Sequence, residues 1–200
     1  MEELCLYAEK EEHVSELILT KNNSIWLGKV KKLELELFAI NILPKLKLHG
    51  ANVMEEFSLS ADKEEYVSEA IRAKNSTIWL GKMKKLELNL FAINILPKLK
   101  LHKENVMEEF HLSAGEIEHF FEVMFAENNS IWLGSVKRLE LESFATIILP
   151  KLNFYEENEM EGLPVNVEET ECGVFRAPLI TLPPCWLCSR ERIEADDDFQ

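Results

Sequence analysis

Cys185 and Cys188 stand in a C-x-x-C spacing, the spacing of zinc-ligand pairs and of dithiol redox centres. A closed zinc site takes four ligands, and nearby the chain adds only Cys172, with no histidine after His119. A redox pair opens a helix after a strand, whereas Leu182-Pro183-Pro184 precedes this one. With one inserted residue, Trp186 and Leu187 align with Trp132 and Leu133. The segment therefore reads as a worn copy of an internal repeat, with a metal or redox site at Cys172, Cys185 and Cys188 as the remaining alternative.

Asn22, Asn75 and Asn128 each begin an N-x-Ser/Thr sequon. They read as turn residues, since asparagine tolerates left-handed backbone geometry. Of the five histidines, His13, His49, His102, His111 and His119, only His49 and His102 share a place in the repeat, so no acid-base pair or metal cluster emerges, and no phosphate loop, G-x-S-x-G or H-E-x-x-H occurs. No catalytic residue, metal ligand or cofactor is expected, and the chain reads as a non-enzyme. With 22 basic against 36 acidic residues and a net charge of -14, the chain lacks the basic surface that nucleic acid requires. No apolar run reaches a membrane span, and the opening MEELCLYAEK is acidic where a secretory leader is basic and then apolar. The expectation is a cytoplasmic or nuclear protein with no membrane contact.

One acidic set recurs at regular spacing. Glu34, Glu87 and Glu140 are 53 residues apart, as are Trp26, Trp79 and Trp132. Residues 25–57 and 78–110 agree at 29 of 33 positions, and NNSIWLG, NSTIWLG and NNSIWLG open successive copies. Within each copy the pattern of Val30-Lys-Lys-Leu33-Glu-Leu35 returns as Met54-Glu-Glu-Phe57-Ser-Leu59, so units start at Met1, Val30, Met54, Met83, Met107, Val136 and Met160, alternately 29 and 24 residues long. Period-two alternation over so few residues predicts one strand per unit, buried on one face. In the long units Val14, Leu17 and Ile18 recur as Val67, Ala70 and Ile71 and as Phe120, Val123 and Met124, the stripe of an amphipathic helix. Asp62–Glu65 and Ser113–Glu116 have capping-box spacing. In the short units Pro44 limits the return limb to an extended or single-turn segment. The Ile-Trp pair of each opening segment is expected in the core.

Val30, Leu33, Leu35, Ile40, Leu43 and Pro44, and again Met83, Leu86, Leu88, Ile93, Leu96 and Pro97, resemble the L-x-x-L-x-L-x-x-N-x-L-x-x-L-P pattern of leucine-rich repeat proteins. The alternation of two unit types is similar to ribonuclease-inhibitor-like horseshoes, over residues 1–165. One position departs: where the family places Asn or Cys to bond neighbouring loops, this chain has Phe38, Phe91 and Phe144, which suggests a phenylalanine stack. The resemblance implies an α/β leucine-rich-repeat solenoid, a horseshoe arc with one parallel strand per unit and a binding surface on its concave face. The array would occupy 1–159 as three 53-residue double repeats, 160–188 would be a degenerate fourth repeat or C-terminal cap, and 189–200 an acidic tail. Met1 already stands at a strand position, which suggests a longer array or an end covered by another molecule.

On the concave face, strand position three reads Glu3, Lys32, Glu56, Lys85, Glu109, Arg138, opposite signs that pair neighbouring strands. Position five reads Cys5, Glu34, Ser58, Glu87, His111, Glu140, and position seven adds Glu36 and Glu142, with no base expected to answer them. The chain is therefore expected to be a scaffold that binds a basic protein through Glu34, Glu36, Glu56, Glu87, Glu109, Glu140 and Glu142, with Tyr7, His111 and Ser58 beside them. A fragment of a lineage-expanded repeat family with little independent function is the alternative.

Overall fold

The structure is a computed structural model that describes residues 2–155 together with 158, 160, 165 and 166. Eleven strands run along it: β1 (Glu3–Ala8), β2 (Ile25–Gly28), β3 (Lys32–Leu37), β4 (Leu46–Leu48), β5 (Val53–Ala61), β6 (Ile78–Leu90), β7 (Leu99–Leu101), β8 (Val106–Ala114), β9 (Ile131–Ser143), β10 (Leu152–Phe154) and β11 (Val165–Asn166). Every pairing among them is parallel. The strands β1, β3, β5, β6, β8, β9 and β11 follow one another in chain order as a main ladder. A second ladder joins β2 to β4, the start of β6 to β7, and the start of β9 to β10.

The alternation of leucines places one face of the main ladder in the core, because successive side chains of a strand point to opposite sides. Leu4, Leu33, Phe57, Leu86, Phe110 and Leu139 lie in register across six strands, as do Leu6, Leu35, Leu59, Leu88, Leu112 and Leu141. From β3 onward these residues are fully buried, so truncating one to Ala costs roughly 2–5 kcal/mol. The strand starts of 29- and 24-residue units are thus in register. Of the fourth repeat or cap over 160–188, only Met160 and β11 are described, with Val165 opposite Leu141; the acidic tail over 189–200 lies outside the described residues.

The crossovers are less helical than the stripe predicts. Helix is confined to one turn at α1 (Ser15–Ile18) and one at α2 (Phe121–Met124), each following a 3-10 turn at Glu11–His13 or Ile117–Phe120, while the middle copy has only the 3-10 turn Glu64–Val67. Three apolar positions anchor little more than a single turn, and a helix that short gains too few hydrogen bonds to offset its nucleation. Neither predicted capping box forms; Glu116 and His119 form one instead, with His119 Nδ1 accepting the Glu116 N–H at 3.3 Å. The short units return through eight-residue 3-10 segments, Phe38–Lys45, Phe91–Lys98 and Phe144–Lys151, longer than the single turn expected. The i to i+3 pattern accommodates Pro44, Pro97 and Pro150 near their ends.

Three backbone positions per period turn the chain with positive φ. The left-handed residue of each opening turn is Asn23, Ser76 or Asn129, one residue beyond the sequon asparagine. Leu37, Leu90 and Ser143, at φ of 53°, 56° and 52°, swing the chain from strand into the 3-10 segment. Gly28, Gly81 and Gly134 connect the second ladder to the main one, and a Cβ on Gly81 or Gly134 would lie 2.6 Å from Asn52 O or 2.4 Å from Asn105 O of the preceding unit.

The loops are bonded by asparagines three residues beyond the phenylalanines. Asn41 Oδ1 accepts the N–H groups of Glu69 and Ala70 at 2.9 and 3.2 Å, and Asn94 Oδ1 accepts that of Glu122 at 2.9 Å. A second series, Asn52, Asn105 and Asn158, accepts the N–H groups of Val30, Met83 and Val136 at 2.8–2.9 Å. The expected phenylalanine stack is replaced by edge-to-face pairs: Phe38 on Tyr66 and Phe91 on His119, each at 4.6 Å between centroids.

Candidate functional site

The solvent face of the main ladder gathers every residue proposed for binding. Glu3, Lys32, Glu56, Lys85, Glu109 and Arg138 are in register, as are Cys5, Glu34, Ser58, Glu87, His111 and Glu140. A third row carries Tyr7, Glu36, Ser60, Asn89, Ser113 and Glu142. Most of these residues are half-buried, while Tyr7 is exposed.

The expectation that no base answers the position-five glutamates is corrected here. Positions three and five of one strand share a face, so each cation reaches along its own strand as well as across. Lys32 Nζ lies 3.5 Å from Glu34 and 3.4 Å from Glu56; Lys85 Nζ lies 3.5 Å from Glu87 and 3.0 Å from Glu109; Arg138 pairs with Glu140. The carboxylates of Glu56 and Glu34 hold Lys32 above the ordinary lysine range, and the hydrogen bond to Glu109 does the same for Lys85. An outer row repeats the alternation, with Lys31 on Glu2 at 3.2 Å and Lys84 on Glu108 at 3.5 Å. Glu36 forms no ion pair among the described residues, and Glu142 lies 3.4 Å from His111 Nε2 in poor hydrogen-bond geometry. Cys5 donates to Glu34 at 3.4 Å, and desolvation together with that carboxylate raises its thiol pKa.

Tryptophan is not in the core. In the I-W-L-G strands Ile78, Leu80, Ile131 and Leu133 are buried, so Trp79 and Trp132 take the outer face, and Trp26 is 58% exposed. Each indole meets a ring of the next unit edge-on: His49 at 6.1 Å, His102 at 6.0 Å and Tyr155 at 4.9 Å. Across the second ladder Trp26 is in register with Lys47, Trp79 with Lys100 and Trp132 with Asn153. Strict alternation of Ile and Leu around Trp was the available signal for this placement.

No family model, curated protein or solved structure matches the chain. Among the described residues no three His, Cys, Asp or Glu side chains converge as metal ligands, and no helix is long and apolar enough to cross a membrane. Cys172, Cys185 and Cys188, and with them the metal or redox alternative, lie outside the described residues.

Proposed function

We propose that the chain is a non-enzymatic leucine-rich-repeat solenoid that binds a basic protein partner through the concave face of its main ladder. The observation that supports this most is the registered polar face itself. Six parallel strands present eight carboxylates at positions three, five and seven against Lys32, Lys85 and Arg138. Internal pairing consumes part of that charge, so the surplus sits with Glu36 and Glu142 beside Tyr7 and His111. Glu34, Glu56, Glu87, Glu109 and Glu140 act as the preorganised floor, where a partner's Arg or Lys can share a carboxylate already held in place.

Affinity capture from lysate at low and high salt, with wild-type protein beside a Glu36→Lys/Glu142→Lys variant, tests this reading. A basic partner that is lost at high salt and in the variant is the expected result. A partner retained in both places the site elsewhere. Capture of nothing favours the second reading, a copy from an expanded repeat family with little independent function, which the agreement of 29 in 33 residues between copies supports.

A further inference from the structure

The net charge of -14 averages over two faces of opposite character. Residues 20–29, 44–52, 73–82 and 97–105 hold the second ladder of the first two copies with its flanking turns, and there nine lysines stand against one acid, Glu104. Lys82 pairs with Glu104 and Lys98 with Glu122. Lys21, Lys45, Lys74, Lys100 and Lys103 form no ion pair among the described residues, and all of them except the half-buried Lys45 are exposed. The third copy gives this character up, with Glu127, Ser135 and Asn153 where the earlier copies have lysine. Strand alternation turns the Trp and Lys of these strands to the same outer side. Trp26 is in register with Lys47 and Trp79 with Lys100, while β4 touches β6 and β7 touches β9. One row therefore runs Trp26, Lys47, Trp79, Lys100, Trp132.

We propose that this row binds an extended acidic polysaccharide with one carboxylate per disaccharide. Neighbouring strands lie about 4.8 Å apart, so indoles recur every ~10 Å with an ammonium group between them, over about 19 Å in all. A sugar pair of an extended pyranose chain covers about the length of one such step. The C–H face of one sugar can then lie on an indole while the neighbouring uronate meets a lysine. A single-stranded nucleic acid fits less well, because it carries a phosphate on every nucleotide at closer spacing, and these four segments contain no arginine to fork onto phosphate. A bilayer fits less well because Trp79 and Trp132 are half-buried and held edge-on by His102 and Tyr155. Rings anchored in that way suit a ligand laid along the row and not insertion among lipids.

The test is calorimetric titration of the full chain at moderate salt with a hyaluronan oligosaccharide long enough to span the row. A neutral cello-oligosaccharide, oligothymidylate and phosphatidylserine vesicles are titrated beside it. Saturable binding of the hyaluronan oligosaccharide, the tightest of the four, is expected. Lys47→Met/Lys100→Met should weaken it about tenfold, the loss of two exposed charge pairs. Trp26→Ala, which removes the indole that is 58% exposed, should weaken it about fivefold. Lys31→Met/Lys84→Met changes the net charge equally but on the main ladder, and should leave binding unchanged. The proposal is overturned if the hyaluronan oligosaccharide shows no saturable binding, if the neutral sugar binds as tightly, or if oligothymidylate or the vesicles bind more tightly. Indifference to Trp26→Ala, or an equal loss in the Lys31→Met/Lys84→Met variant, overturns it as well.

Discussion

Along the main ladder, Lys32 lies between Glu34 and Glu56, and Lys85 between Glu87 and Glu109, so the cations are engaged within the molecule. Along the second ladder Lys47 and Lys100 form no ion pair among the described residues, and Lys47 instead sits 5.8 Å from the centre of the Trp26 ring. Both ladders come from the same period and the same parallel pairing. The difference is that the main face answers its own charges across and along strands, which specifies neighbours, whereas the second leaves Lys47 and Lys100 outside any ion pair and packs its indoles edge-on against rings of the next unit. Regular charge alternation therefore specifies which strand neighbours which, and the charge left over for a partner falls mainly on the carboxylates that alternation does not answer, Glu36 and Glu142.

The largest expected effect lies where the ladders join. Gly134→Ala would force a Cβ to 2.4 Å from Asn105 O at a φ of +82°, whereas the same change at Gly28 meets only the Trp26 Nε1 at 3.8 Å. We expect Gly134→Ala to cost about 3 kcal/mol or more and Gly28→Ala about 1–2 kcal/mol. Denaturant unfolding of both variants checks the difference, and equal losses would mean that the second ladder is not seated against the preceding unit.

Next in size is the loop bonding beneath both ladders. Asn94→Leu removes the acceptor for Glu122 N–H and the donor to His119 O, with an expected loss of about 1–3 kcal/mol. Ile147 occupies the equivalent position in the third copy, so Ile147→Ala should lose stability through packing alone and leave amide-exchange protection near Glu122 unchanged. Hydrogen exchange distinguishes the two.

Smaller still is the charge ladder. Lys85→Met frees Glu87 and Glu109, and because the pairs are only half-buried the loss should be no more than about 1 kcal/mol. Thermal melts at low and high salt should converge between variant and wild type, whereas Lys100→Met should leave the melt unchanged at both. A large effect of Lys100→Met on folding would blur the contrast between the two faces.

The smallest effect is a titration. Desolvation holds the pKa of His119 below the usual histidine range, so the unfolded chain takes up its proton first. Its contribution is complete above the unfolded pKa, near 6.5, and is lost as pH falls through the folded value. Tyr66 makes the same edge-to-face contact on Phe38 that His119 makes on Phe91. His119→Tyr should therefore keep the packing and flatten the stability profile below neutrality; an unchanged slope would assign the acid sensitivity to other groups.

Much of this arrangement was legible in the residues. Strand starts, the two leucine rows and the alternating charges follow from a side-chain period of two, which admits no ambiguity once a repeat supplies the register. The crossovers were less legible, because Val67, Ala70 and Ile71 satisfy helical spacing over too few turns to tell a helix from a 3-10 turn. Hydrophobicity alone places Trp26 in the core, whereas the alternation of its own strand puts it on the outer face. The bonding asparagines were missed for a related reason: Asn41 lies inside the apolar run Phe38–Leu43, where only three-dimensional proximity to Glu69 and Ala70 reveals its task. The pairing of Lys32 with Glu34 depends on the reach of a lysine along its own strand, which cross-strand neighbours alone do not reveal.

Alternating signs at strand position three also constrain how such a gene can change length. Removing a single 29-residue unit would bring Lys32 beside Lys85, and removing a single 24-residue unit would bring Glu56 beside Glu109, like charges face to face in either case. Removing or adding 53 residues restores opposite signs throughout. Unequal recombination between copies is therefore tolerated in even steps only, and the heritable unit of this array is the pair of strands.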